Sequence, residues 1–258
     1  MNYKNILSKK NKHITCITIN RPNQLNALNI ETIEELNDAI LKADNDPEVR
    51  CIILTGAEKK AFVAGADIKE FMHFNREEGR ALAQDGQTLL FNLLENASTP
   101  SIAAINGFAL GGGLELAMAC HIRVASENAK MGMPEVSLGV IPGYGGTQRL
   151  TRLVGKGKAI ELIATARMLT SREAKECGLV NSVCSQESLM FTCEEMAKEI
   201  AKNSPSAVKG AINAINAGFN KTGFDREILE FGKCFETADF KEGMSAFIEK
   251  RKAQFTGE

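Results

Sequence analysis

Histidine is scarce in this chain: His13, His73 and His121 are the only three. His13 lies beside a lysine-rich N-terminus and His121 follows a predicted helix, so ordinary structural or surface roles are expected of them. A Ser-His-Asp triad and a His-ligated metal are therefore not expected. No G-x-S-x-G, H-E-x-x-H or G-x-x-x-x-G-K-[ST] occurs. Nor does G-x-G-x-x-G, because the run that starts at Gly143 has Gln148 in its last position, which disfavours a nicotinamide-binding fold. Neither sign of charge is in excess: 31 Lys and Arg against 32 Asp and Glu leave a net charge of −1. Phosphate neutralisation needs a basic surplus, so nucleic-acid binding is set aside. Long apolar runs are missing too. The run over 108–118 carries Glu115 inside it and falls short of a membrane span. Residues 1–12 are polar and lack the apolar h-region of a secretory signal. The seven cysteines (Cys16, Cys51, Cys120, Cys177, Cys184, Cys193 and Cys234) are odd in number, scattered and without C-x-x-C. They are expected to be reduced, mostly buried thiols of a cytoplasmic protein. With six prolines, 44% hydrophobic and 24% charged residues, a disordered chain is excluded.

What is present suits one large domain, or a main domain with a small appendage, in 258 residues and 28.0 kDa. Residues 14–20 alternate and are β-branched, which predicts a strand. Ile30, Ile33, Leu36, Ile40 and Leu41 recur at helical spacing over 30–43. Further strands are predicted over 51–55, 101–105 and 122–125. Helices are predicted over 76–94, 111–119 and 159–166, and a short one over 171–178 with a serine cap. From about residue 186 the pattern is helical only, over 188–202, 206–217, 224–234 and 241–253. The fold class is therefore α/β with a helical appendage, divided as 1–186 and 187–258.

The polar candidates for chemistry are carboxylates beside glycine-rich turns. Ala64-Gly65-Ala66-Asp67 follows an apolar run and lets the backbone approach a ligand closely, although taken alone the run reads better as a plain strand-to-helix turn capped by Asp67. Gly111-Gly112-Gly113-Leu114-Glu115 places three costly glycines at a helix start. Free N–H groups and a positive dipole end there would suit a developing oxyanion. The alternative for Glu115 is a simple first-turn charge, worth ~0.3–1 kcal/mol. Glu135 sits among Met131, Met133, Val136, Leu138, Val140 and Ile141. Such surroundings would let a carboxyl keep its proton near neutral pH, unless it is merely a solvated loop residue.

Taken in order, A-G-A-D at 64–67, N-G-x-x-x-G-G-G-x-E at 106–115, P-E at 134–135 and P-G-x-G-G-T-Q-R-L at 142–150 closely resemble the enoyl-CoA hydratase (crotonase) family. The likeness runs almost end to end, from Asn20-Arg21-Pro22 to the 242–252 segment, and is strongest to the family's bacterial short-chain hydratases. It implies a spiral of β-β-α turns followed by a C-terminal all-helical region that packs in trimers, which pair into hexamers. It implies an acyl-CoA thioester as substrate, and no cofactor, metal or nucleic acid. The activity implied is reversible syn addition of water to a trans-2-enoyl-CoA, giving the 3-hydroxyacyl-CoA, with an isomerase or another acyl-CoA reaction of the family as the alternative. By motif position, the N–H groups of Ala66 and Gly112 would hold the thioester oxygen. Glu115 would activate water and Glu135 would protonate the α-carbon. Gly143 would help hold the water. Ala64, Ala66, Asp67, Ile68, Lys69 and Gly112 would contact the substrate, with Lys69 by the phosphates and Lys250 at the nucleotide end.

The sequence departs from the family pattern at three places. Asn23 and Gln24 stand where many members have a lysine near the nucleotide. Met133 replaces a glutamine that would hydrogen-bond the second glutamate. Phe71 replaces a smaller or more flexible residue at the acyl-pocket rim, which suggests a preference for four to six carbons. RNA binding, known among some relatives, is not expected. The 76–94 helix offers only Arg76 and Arg80 against Glu77, Glu78 and Asp85, with Glu95 just beyond it.

Overall fold

The computed structural model describes residues 3–220 and 222–257, apart from the side chain of Asn220. They begin with a hairpin, in which β1 (Ile6–Asn11) pairs antiparallel with β2 (Ile14–Ile19). The sequence pattern did not reveal β1. Only Ile6 of that strand is buried, and its lysines protect a sheet edge, so it lacks the alternation that betrays β2. Helix α1 (Ile30–Asp44) is capped by Asn29, whose side chain accepts from Thr32 N–H. Its Ile33, Leu36 and Ile40 are buried, while Ile30 and Leu41 are exposed.

From there the chain runs in turns that place one strand in each of two sheets. Strand β3 (Cys51–Gly56) leads to β4 (Ala61–Val63) and then to a long helical stretch. That stretch comprises α2 (Arg76–Gly86), a π-helical turn over Gln87–Phe91 and α3 (Asn92–Glu95). Strand β5 (Ser101–Ile105) leads to β6 (Phe108–Leu110) and α4 (Gly112–Ala119). Strand β7 (Ile122–Ser126) leads to β8 (Lys130–Gly132), α5 (Gly146–Val154) and α6 (Lys156–Thr165). The last turn is β9 (Met168–Thr170), α7 (Ser171–Glu176) and β10 (Ser182–Cys184). The cap of α7 is Thr170, not Ser171: Thr170 and Glu173 satisfy each other's backbone N–H groups.

The larger sheet has the order β1-β2-β3-β5-β7-β10 and is parallel from β2 onward. The smaller has the order β4-β6-β8-β9, parallel except at β8–β9. Successive turns therefore stack as a spiral, each adding a strand beside its predecessor in both sheets. All four strands of the smaller sheet escape sequence reading because three residues show no period.

Strand β3 shows why a parallel strand reads as an unbroken apolar run. Ile52 and Leu54 enter the main core, while Cys51 and Ile53 face a second core beneath α8 (Leu189–Ala201). Of the free cysteines, Cys51, Cys120 and Cys193 are buried. Cys16, Cys177, Cys184 and Cys234 are only half-buried, which corrects the expectation of mostly buried thiols. After β10 every described element is helical, with α8 followed by α9 (Pro205–Ala217), α10 (Gly223–Cys234) and α11 (Ala238–Glu249). Phe224, Ile228, Phe231, Phe247 and Ile248 on α10 and α11 are 66% to 86% exposed. No helix among the described residues is long and apolar enough to cross a membrane.

Candidate active site

Ala66 forms an isolated parallel bridge with Leu28. Its neighbours make the bonds: Leu28 N–H donates to Gly65 O at 2.9 Å and Asp67 N–H to Leu28 O at 2.7 Å. Ala66's own N–H therefore points to the other side, and it has no acceptor among the described residues. Gly112 is the first residue of α4, so its N–H has no acceptor within the helix. A Cβ built on Gly112 would stand 3.5 Å from Ala66 N. Two unspent amides from distant parts of the chain thus adjoin, one of them at a helix N-terminus.

The turn into α4 needs a glycine. Gly111 has φ +51° and ψ −125°, a backbone shape that side chains rarely allow. A Cβ there would also stand 3.0 Å from Glu135 Oε1, so the Glu135 carboxyl lies against the helix start.

Glu115 lies one turn into α4 and is 1% exposed. Its Oε1 accepts from Tyr144 N–H at 2.8 Å and from Gly146 N–H at 2.7 Å. Burial nevertheless dominates and pushes the carboxyl up to about 7. The Gly146 hydrogen bond opposes that rise and the nearby Glu135 charge adds to it. Glu135 opens a short 3-10 turn, Glu135–Leu138. Its Oε2 is buried with no partner among the described residues, and burial raises its pKa. Met133, fully buried nearby, has no polar hydrogen to offer it. Burial therefore disfavours the charged form of both carboxyls.

The 142–146 loop that holds Glu115 is itself anchored from below. Arg149, on α5 and 5% exposed, donates to Tyr144 O at 2.7 Å. It also donates to Asn92 Oδ1 at 2.9 Å, and its Nη2 lies 2.7 Å from Glu95 Oε2. Gln87 Nε2 donates to Gly143 O at 2.7 Å. Reading the sequence assigned no role to Arg149, Gln87 or Tyr144. The visible signal was an arginine among the apolar positions of a helix directly after a glycine-rich turn.

The remaining candidates lie to either side. Ala64 N–H donates to Leu25 O at 3.1 Å. Asp67 pairs with Arg21 at 3.1 Å. Ile68 and Lys69 begin the exposed Ile68–Glu70 turn, and Phe71, which ends it, is half-buried. Gly143 has its carbonyl taken by Gln87, and its N–H has no acceptor among the described residues. Lys250 ends α11 with φ +55°, on an exposed surface. Arg251 beside it bonds Glu242 and Glu249, and no described contact ties Lys250 to Glu115 or Ala66.

Comparison with known proteins defines the class. The enoyl-CoA hydratase/isomerase family model matches residues 9–258, and the chain belongs to that family. Among curated relatives, the short-chain-enoyl-CoA hydratase of Clostridium acetobutylicum is 49% identical, with 98% of each chain covered. The crotonyl-CoA hydratase of Syntrophomonas wolfei is 47% identical, with 99% of each covered. Among solved structures, an enoyl-CoA hydratase from Bacillus anthracis superposes with a TM-score of 0.94 at 42% identity, covering 99% of this chain and 100% of that one.

Proposed function

We propose that this protein is a short-chain enoyl-CoA hydratase, which adds water reversibly to trans-2-enoyl-CoA thioesters of the crotonyl class. The observation that carries the reading is the site itself: the buried Glu115 carboxyl and the half-buried Glu135, with its Oε2 buried, beside two unspent amides. Full-length identity of 47% to 49% with relatives named for this activity supports it.

The thioester oxygen is held by the N–H groups of Ala66 and Gly112, where negative charge develops as the double bond is attacked. Losing one such donor costs ~2.7–4 kcal/mol elsewhere. Glu115 acts ionised. Its Oε1 is fixed by two backbone donors, which leaves Oε2 to take a proton from water as the oxygen bonds to the β-carbon. The electron pair of the double bond moves toward the α-carbon and the thioester oxygen. Glu135, whose charged form burial disfavours, acts as the acid and delivers its proton to the α-carbon. The product has gained one water, and a proton has passed from Glu115 to Glu135 overall when the site resets. Addition is syn when both carboxyls act on one face. Ala64, Asp67, Ile68 and Lys69 line the approach of the coenzyme A part.

Residues 187–258 form the oligomerisation region, supported by the exposed phenylalanines of α10 and α11. Lys250 serves the nucleotide end of the coenzyme A. A cytoplasmic location fits the reduced thiols. The deciding experiment is the loss of enoyl-thioester ultraviolet absorbance with crotonyl-CoA. No loss with crotonyl-CoA or longer enoyl-CoAs removes the hydratase reading.

A further inference from the structure

Two features of the 76–95 stretch break ordinary helix rules. Gly86 is buried inside it, where glycine weakens a helix, and Gln87–Phe91 widens into a π turn. Both accommodate one side chain. A Cβ on Gly86 would stand 2.3 Å from Tyr144 Cε1. Phe91, at the end of the π turn, stacks on the Tyr144 ring with centroids 4.6 Å apart and planes 13° apart. The helix is shaped around the Tyr144 ring and clamps it.

Another edge of that ring faces the reacting groups. The Cβ position of Gly112 lies 3.5 Å from Tyr144 Cδ2 and equally close to Ala66 N, and Tyr144 N–H binds Glu115. The ring is 6% exposed, and its hydroxyl has no hydrogen bond among the described residues. With no described residue bonded to its hydroxyl, the ring contributes shape.

We infer that the Tyr144 ring is the end wall of the acyl pocket and sets the chain-length limit. The inference rests on the proposed hydratase function. The thioester carbonyl sits at Ala66 and Gly112 and the β-carbon at Glu115, so the carbons beyond it run toward Tyr144, whose ring faces Gly112 and whose N–H binds Glu115. A four-carbon chain ends before it. A longer chain must displace an aromatic ring clamped by Phe91 and Gly86. Phe71, by contrast, is half-buried on the exposed Ile68–Glu70 turn.

The test compares kcat/KM for four-, eight- and ten-carbon trans-2-enoyl-CoAs in the unaltered enzyme, Tyr144→Ala, Tyr144→Leu, Tyr144→Phe and Phe71→Ala. Opening the wall should raise the eight-to-four-carbon ratio by about 10-fold or more in Tyr144→Ala, within the range that pocket methylenes command. Tyr144→Leu should raise it less, and Tyr144→Phe should leave it unchanged. Gly86→Ala, which pushes the ring toward the cleft, should lower it. Should Tyr144→Ala not fold, judged by circular dichroism, Tyr144→Leu carries the test. An unchanged ratio in the folded variants, or a rise in Phe71→Ala alone, overturns the inference. Failure of the unaltered enzyme to hydrate crotonyl-CoA counts against the function itself.

Discussion

Gly146 N–H donates to Glu115 Oε1 at 2.7 Å, and a Cβ on Gly146 would stand 2.8 Å from that same oxygen. One position therefore both holds the base and demands the absence of a side chain. Gly146→Ala would also drive its methyl to 2.2 Å from Met133 Cε and 2.9 Å from Pro142 Cβ. The loop must shift, and the Glu115 carboxylate with it. The expected result is a fall in kcat of about 10²-fold, the scale on which small misplacements act, with a small change in KM for crotonyl-CoA. Unaltered kcat would show that the 142–146 loop does not position the base.

Glu115→Gln and Glu135→Gln keep shape but remove proton transfer. Each should lower kcat by at least ~10²-fold. The double variant should lose far less than the product of the two, because groups that serve one water act as a unit. Slow exchange of α-protons with solvent deuterium should vanish in Glu135→Gln and survive in part in Glu115→Gln. Near-normal hydration in either single variant would refute a two-carboxylate mechanism.

The buried Glu115 also predicts how activity and stability depend on pH. Its carboxyl titrates at about 7 in the folded protein against 4.5 ordinarily, so the base ionises late. The acid limb of the kcat/KM profile should therefore lie near pH 7 instead of near 4.5. Between those values the folded state holds more protons than the unfolded chain, so stability falls as pH rises through that window. The whole penalty is about 3 kcal/mol. Glu115→Gln removes it, and its gain in Tm over the unaltered protein should be larger at pH 8 than at pH 5. An equal difference at both pH values would mean that the ionised carboxylate is not costly.

Arg149 ties α3 to the loop through Glu95, Asn92 and the carbonyl of Tyr144. Arg149→Met strands those acceptors and should cost about 3 kcal/mol in urea unfolding, the low end for a broken buried pair, since Glu95 is partly exposed. Arg149→Lys cannot reproduce the fork and should recover little. In both variants kcat should fall along with stability. Full activity in Arg149→Met would separate the loop from its anchor.

The exposed phenylalanines of the last helices predict assembly. Light scattering at micromolar concentration should report a trimer or hexamer. Phe224→Asp with Phe247→Asp should shift it toward monomer, since each places a charge where an 82% or 86% exposed ring now lies. A monomer in the unaltered protein would reject the oligomerisation role of 187–258.

The sequence by itself determined the elements whose own residues carry a signal. Alternation marked β2, apolar spacing marked α1, and the change to helices near residue 186 marked the C-terminal region. The glycine runs and the two glutamates, with their order along the chain, carried the family and the chemistry. These are local properties, or patterns of order, and need no folding to be seen. The tertiary structure decided what depends on neighbours distant in sequence. Strand β1 exists because β2 pairs with it, and three-residue strands exist because a spiral lays them beside one another. Thr170 takes the cap from Ser171 because Glu173 answers it. Only folding brings Ala66, from the bridge to Leu28, against the N-terminus of α4. Only folding buries Glu115 deeply enough to lift its carboxyl to about 7. Charge cost is set by the dielectric around a group, and hydrogen bonds by its distance to partners. Both are properties of the packed molecule, which is why Arg149, Gln87 and Tyr144 showed their roles only there.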